Sequence, residues 1–423
     1  MKPGILLSLI LAWTPIAAGG GEVSWESEIA GLPMAITAGT GQVFVVGKVT
    51  EGSGQFFTAA YDAGTGQRLW QDQIDGDNAD RASQAMAITH SNGLLFAVGS
   101  TNHDLAQDSA AFLVRTYDTN GNLNWESEVA DGRINVATNV VADHERVFAG
   151  GLKSNLVSGL DFVIRTYHAR SGRLLWEKDL GKAPERERNR RQLPSTQLPF
   201  CTVGDTLVAA GSPRLLAQAY DAHTGRPLWQ VPYHRSGIRT TSLVASGGRV
   251  LAIGVGNEMS EPSIIWITAF RAADGRILWQ KQYASPEADV RALHTTASTD
   301  TAYISGYLCR RPSALCELLV LAYDANTGAL RWQDHYDAGL ATLPSGVAAG
   351  MGLFFVGGVA QATSGAGGYF LRCYDAGTGR LEWSELSDQS SSPSGVAARS
   401  GRVFLSLFDP FSERGTLRAY RAR

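Results

Sequence analysis

The side chains of this chain that could do chemistry are few and scattered. His90 and His144 fall where short turns are expected, and His294 falls on an apolar strand-like run. His90 and His144 therefore read as solvated turn residues, and His294, with no second histidine or carboxylate nearby, reads as a satisfied channel or core imidazole before it reads as a ligand or base. No nucleophile elbow, phosphate-binding loop or HExxH helix occurs. Cys201 and Cys373 lie in apolar runs without a metal-site partner and read as small buried hydrophobes, so no metal centre is predicted. Cys309 and Cys316 bracket the short segment 310–315. Two adjacent antiparallel strands bring such a pair within the roughly 4.4–6.8 Å between Cα atoms that a disulfide needs. A disulfide is therefore expected, with two free loop thiols as the alternative.

A third group is cationic. Arg81 and Arg133 stand 15 residues before Phe96 and Phe148, and Arg239 and Arg291 stand 12 before Leu251 and Tyr303, with Arg190 and Arg191 in the corresponding approach to the unit between them. Six guanidinium groups at equivalent entries would make a rim of forked donors suited to carboxylate or phosphate. The same stretches carry Asp80, Asp131, Glu185, Glu187 and Asp289, so local ion pairs on a solvated face are the competing reading.

These residues must be positioned by a repeat. Trp25, Trp70, Trp125, Trp176, Trp229, Trp279, Trp332 and Trp383 are separated by 45, 55, 51, 53, 50, 53 and 51 residues. Seven follow a related phrase, such as AYDAGTGQRLW at Trp70 and AYDANTGALRW at Trp332, and an eighth phrase, AYRAR, ends the sequence without its tryptophan. Each unit holds four short alternating runs divided by Gly, Asn and Asp turns, as in 84–89, 94–99, 111–117 and the run through Trp125. Units of this length with four strands are propeller blades. The prediction is an all-β, eight-bladed β-propeller of four-stranded blades, in which the run through Trp25 completes the last blade and closes the ring. The aspartates of the phrase are assigned to turn capping, the glycines to positive φ, and the tryptophans to docking between blades. Connections between second and third strands, and between blades, are longer than the other turns and fall on one face, which is the expected binding surface.

The chain has 423 residues, 44% of them hydrophobic and 18% charged, with a net charge of -3. This balance supports a large core and argues against a nucleic-acid partner. Residues 1–19 read as a secretory signal, with Lys2, an apolar run and a small-residue exit near Ala18. Residues 20–423 then form a single propeller domain, periplasmic or extracellular, without a transmembrane anchor and expected to be monomeric.

The sets Ala60, Asp62, Thr65, Gly66 and Trp70, and their equivalents ending at Trp229 and Trp332, resemble the tryptophan-docking repeat of pyrroloquinoline-quinone-like (quinoprotein-type) propellers. That family includes quinone-dependent dehydrogenases, and also a non-catalytic branch of outer-membrane protein assembly scaffolds, to which this chain is the more similar. His168 and Arg271 depart from the pattern where the aspartate is expected. In the enzymes, the resemblance implies a quinone over the channel with calcium held by carboxylate and amide oxygens. The eight runs expected to be innermost, from 33–37 to 393–397, contain no Asp or Glu. No cofactor is therefore predicted, and the leading reading is an exported scaffold that binds a protein or an anionic extracellular ligand. A quinone–calcium dehydrogenase and a structural module of a larger assembly are the alternatives.

Overall fold

The computed structural model describes residues 21–423 apart from 50–53, 75–81, 105–108, 132–133, 156–158, 184–197, 211–214, 234–237, 257–261, 312, 314 and 362–366. Thirty-two strands form eight antiparallel groups of four. Blades 1 to 7 span 32–73, 82–129, 135–182, 200–232, 238–283, 288–336 and 341–387. Blade 8 takes three strands from 392–421 and its fourth from Val23–Ile29. A single parallel bridge, Cys316 to Ala341, joins blades 6 and 7 into one eight-stranded sheet. The first strands are innermost and each packs on the next, with Ser392–Arg399 of blade 8 against Leu32–Ala38 of blade 1. At that seam a Cβ on Gly395 would lie 2.8 Å from the Ile36 side chain, so glycine permits the close approach.

The repeat phrase works as a dock. In every blade the indole N–H of the tryptophan donates to a backbone carbonyl in the turn of the following blade, from Trp25 to Ala63 (3.1 Å) around to Trp383 to Ala422 (3.2 Å). The ring lies flat on the glycine of that turn: a Cβ on Gly66, Gly121 or Gly379 would sit 2.5 or 2.6 Å from the Trp25, Trp70 or Trp332 ring. Asp62, Asp221, Asp324 and Asp375 each accept two turn N–H groups and a threonine hydroxyl. The departures are compensated locally. His168 accepts from Ser171 N–H through Nδ1, and Arg271 pairs with Asp274, which then caps the turn at Arg276.

Closure uses the same parts from both ends of the described chain. Trp25 pairs across Ala419, and Arg421 N–H donates to the Glu22 carbonyl (3.0 Å), as Asp62 N–H donates to Gln67 in blade 1. Gly21 lies under the Trp383 ring, where a Cβ would approach to 2.8 Å. Gly21 stands four residues before Trp25, the spacing of Gly66 to Trp70. The tryptophan dock of blade 8 is thus complete, split between AYRAR and the segment 21–25.

Between blades, a second device appears that the tryptophan phrase does not announce. Two residues before the third-strand aromatic stand, from blade 1 to blade 8, Ala59, Arg115, Arg165, Gln218, Thr268, Leu321, Arg372 and Arg418. Two residues after the tryptophan stand Asp72, Ser127, Lys178, Val231, Lys281, Asp334, Glu385 and Ser27. Three residues of the second series meet the next blade's member of the first. Asp72 accepts from Arg115 (2.6 Å) and the Tyr117 hydroxyl (2.8 Å). Asp334 accepts from Arg372 (3.3 Å) and Tyr374 (2.7 Å), and Glu385 meets Arg418 (3.5 Å) and Tyr420 (3.1 Å). Arg165, fully buried, reaches Asp131 of blade 2 (3.2 Å) and its own blade's Glu177 (2.8 Å), with its guanidinium over Phe112. Buried guanidinium groups are tolerated because planar forks satisfy two carboxylates and lie on aromatic faces.

Candidate functional site: the central channel and its long-loop mouth

The innermost strands carry short side chains, which lets eight of them converge. Seven of the eight also contain a β-bulge at the same level, adding Met34, Met86, Thr138, Thr241, Leu293, Ser345 and Ser394. A bulge bends its strand and re-aims one side chain, and Met34, Thr241, Leu293 and Ser394 line a channel cavity of about 310 Å³. The remaining wall includes Ile36, Asn139, Phe200, Ser242, His294, Thr295 and Val396.

Its polar groups are tied to one another rather than aimed at a common point. Ser242 bonds Thr295 across the seam of blades 5 and 6, Asn139 donates to the Leu198 carbonyl (3.2 Å), and Ser394 bonds Ser406 (2.8 Å). His294 is the titratable side chain of the lining. Burial lowers its pKa, against a smaller opposite pull from a hydrogen bond to the Pro344 backbone, so it is a neutral imidazole at neutral pH. Among the described residues, no carboxylate lines the cavity. Among the described residues, no three His, Cys, Asp or Glu side chains gather to hold a metal ion. A hard cation with several oxygen ligands does not fit this donor set, nor does proton abstraction by a carboxylate. The quinone–calcium pair implied by the resemblance therefore finds no matching residues among the described residues of the channel.

The other expected residues fall as follows. The first strand of blade 6 starts at Ala288, earlier than the expected 292, and so does contain an acid, Asp289. Asp289 is engaged by Arg311 (2.8 and 2.9 Å) and Ser263 outside the channel lining, and the Arg311 hydrogen bond, more than any other, pulls its pKa down to about 2. His90 is a correction: it lies in the strand Ala82–Ser91, not in a turn, with its ring stacked on Phe44 at 5.8 Å. The alternating strand simply runs further than the turn residues suggested. His144 is exposed in its turn. Cys201 and Cys373 are buried, and burial pushes both thiols up to about 12. Cys309 and Cys316 are disulfide-bonded and face each other across paired strands, on either side of the segment 310–315. Of the arginine series, Arg81, Arg133, Arg190 and Arg191 lie outside the described residues, as do residues 1–19. Arg239 is exposed as the second residue of Ile238–Ser246, and Arg291 is half-buried as the fourth of Ala288–Ala297. Both are thus at the long-loop ends of innermost strands. On the same face, Phe411 stands 84% exposed in the connection 409–414 of blade 8.

Comparison with known proteins adds family membership. The family model described as outer membrane protein assembly factor BamB matches residues 14–162 and 160–423. No curated protein sequence matches the chain. Among solved structures, BamB from Moraxella catarrhalis is similar at 14% identity, covering 94% of this chain and all of that one with a TM-score of 0.53. A quinohemoprotein alcohol dehydrogenase from Pseudomonas putida is similar at 12% identity, covering 96% of this chain and 78% of that one, with a TM-score of 0.60. The Dos1 propeller is similar at 10% identity, covering 95% of each chain with a TM-score of 0.56. At these identities the structures share the fold.

Proposed function

Because the chain belongs to the family of the outer membrane protein assembly factor BamB, we propose that it is an exported binding scaffold that receives a protein partner on its long-loop face and catalyses no reaction. The observation that carries this reading is the donor set of the channel among the described residues: bonded hydroxyls, an amide and one neutral imidazole, with no carboxylate. A rigid ring presenting variable connections is the usual platform for recognition. Phe411 supplies an exposed aromatic of the kind that anchors interfaces. The arginine series Arg81, Arg133, Arg190, Arg191, Arg239 and Arg291 would favour an acidic segment of the partner. Among the described residues no helix is long and apolar enough to cross a membrane.

The test is a capture from the extracytoplasmic fraction with the native protein and two variants. Phe411→Ser with Arg239→Gln and Arg291→Gln should lose the partner and flatten the salt dependence of capture, whereas His144→Ala on the opposite face should retain both. Loss with the opposite-face variant alone would refute the assignment of the face. Pyrroloquinoline quinone with calcium should neither raise the melting temperature nor support dye-linked alcohol oxidation, and doing both would establish the dehydrogenase instead.

A further inference from the structure

The turn between third and fourth strands follows one plan around the ring, so its changes of charge stand out. In blades 1, 2 and 6 it reads DAGTGQ, DTNGN and DANTGA, each with one aspartate and no arginine. In blades 3, 4 and 5 it reads HARSGR, DAHTGR and RAADGR, with five arginines against two aspartates. Those two aspartates are consumed inside their turns: Asp221 accepts from turn N–H groups and Thr224, and Asp274 pairs with Arg271. Arg170, Arg173 and Arg226 are exposed, and among the described residues no carboxylate pairs with them. Arg276 is exposed beside the Arg271–Asp274 pair. Elsewhere on this face the equivalent cations are taken, Arg380 by Glu382 (2.8 Å) and Arg421 by Glu22 (2.8 Å). The nearby acids Asp143 and Asp205 are likewise taken by Arg146.

The repeat sets these cations at one level of the ring. Trp176 of blade 3 docks on Gly225, next to Arg226, just as Trp229 of blade 4 docks on Gly275, next to Arg276. Packed sheets lie about 10 Å apart, so Arg173, Arg226 and Arg276 form an arc that cannot close on a single phosphate or carboxylate. Each is followed within two residues by an exposed leucine: Leu174, Leu228 or Leu278. Exposed leucines recur in blades 1, 2 and 6 as Leu69, Leu123 and Leu330. The apolar rim is therefore common to the ring, and unpaired positive charge singles out this arc. We propose that the short-turn rim of blades 3 to 5 is a docking surface for an anionic phospholipid bilayer. A bilayer presents phosphates over a continuous plane, so it meets arginines standing a blade apart, and its interface admits the apolar side chains beside them. Guanidinium forks match phosphate oxygens.

This rim lies opposite the long-loop face, so the inference is independent of the channel and of the proposed partner. The test is flotation of the full chain with vesicles of phosphatidylglycerol and phosphatidylcholine in equal parts, against vesicles of phosphatidylcholine alone. The chain should float with the anionic vesicles only, and less so as salt is raised. Arg173→Gln with Arg226→Gln and Arg276→Gln should weaken that binding roughly a hundredfold, the loss that three surface cations bring. Leu174→Ser with Leu228→Ser and Leu278→Ser should weaken it by a smaller factor. Arg380→Gln, whose cation is already paired, should leave it unchanged. All these side chains are exposed, and an unaltered melting temperature would show that each variant is folded. No flotation with anionic vesicles, equal flotation with neutral ones, or binding unchanged in the triple arginine variant overturns the proposal. Capture of a labelled hexaglutamate peptide without vesicle binding, lost in the same triple variant, also overturns it and assigns the arc to an acidic polypeptide.

Discussion

The interface between blades 2 and 3 and the one between blades 4 and 5 are built from the same repeat yet solve inter-blade packing in opposite ways. At the first, Arg165 is buried between Asp131 and Glu177 with Phe112 beneath it. At the second, Thr268 lines a cleft with Leu216, Tyr233 and Trp266. Both interfaces keep the tryptophan dock, Trp125 to Ala169 (2.8 Å) and Trp229 to Ala272 (2.8 Å). The dock therefore holds the ring together, and the residues above it are free to be either a charged clamp or a recess. This separation lets a repeat protein acquire a site at one interface without weakening its neighbours.

Arg165→Ala should produce the largest effect, because it empties the space that a fully buried side chain fills over Phe112, although Lys153 still pairs with Asp131 and Glu177. A loss of about 2–5 kcal/mol is expected in denaturant unfolding. Thr268→Ala, at the equivalent position of blade 5, should cost about 1 kcal/mol or less. Equal costs would erase the distinction between the two kinds of interface.

Replacing both members of a clamp tests it differently. Arg372→Leu with Asp334→Leu should be much closer to neutral than Asp334→Leu alone, since an apolar pair removes the desolvation penalty together with the attraction. A double variant as damaging as the single one would show that packing of the guanidinium on Tyr336, at 4.0 Å, matters more than its charge.

The closure is predicted to behave as the eighth equivalent of the dock. Gly21→Val would drive its Cβ into the Trp383 ring, and Gly379→Val would do the same to Trp332 with an added positive-φ strain at 73°. Both should destabilise, Gly379→Val by roughly 1–3 kcal/mol and the more. A neutral Gly21→Val would mean that the closing turn is not packed as the internal ones are.

The smallest effect concerns pH. The Asp289 carboxyl is held down to about 2, from an ordinary 3.8, so its contribution is fully present above about pH 4 and is lost as pH falls towards 2. Asp289→Asn should lower stability at neutral pH by no more than about 1 kcal/mol, because the Arg311 pair is partly solvated. Its unfolding midpoint should converge with that of the native protein across that acid window. A gap that widened there would assign the shift to another group.

Much of the architecture is legible in the sequence. Tryptophan spacing, the glycine four residues before it and the missing phrase at each end specify blades, docks and closure, because all are local patterns repeated at a fixed period. Gly21 was equally readable, since it keeps the four-residue spacing to Trp25, but its phrase is split across the closure and carries no aspartate. The arginine clamps were readable only as a correlation between two series, acid after the tryptophan and arginine before the next blade's aromatic. Neither series is distinctive alone.

What the sequence by itself determined is the unit: which residues alternate, where the chain turns, and which ring must dock on which glycine. These follow from contacts within a blade or between successive ones. Tertiary structure alone decided that the bulged residues of the inner strands meet in one channel, and that Thr268, Trp266 and Tyr233 wall a recess between blades 4 and 5. Both depend on residues far apart in sequence converging, on bulges that shift which side chain faces inward, and on space left unfilled. A void has no residue to announce it, and its shape is set by how neighbouring sheets close around it.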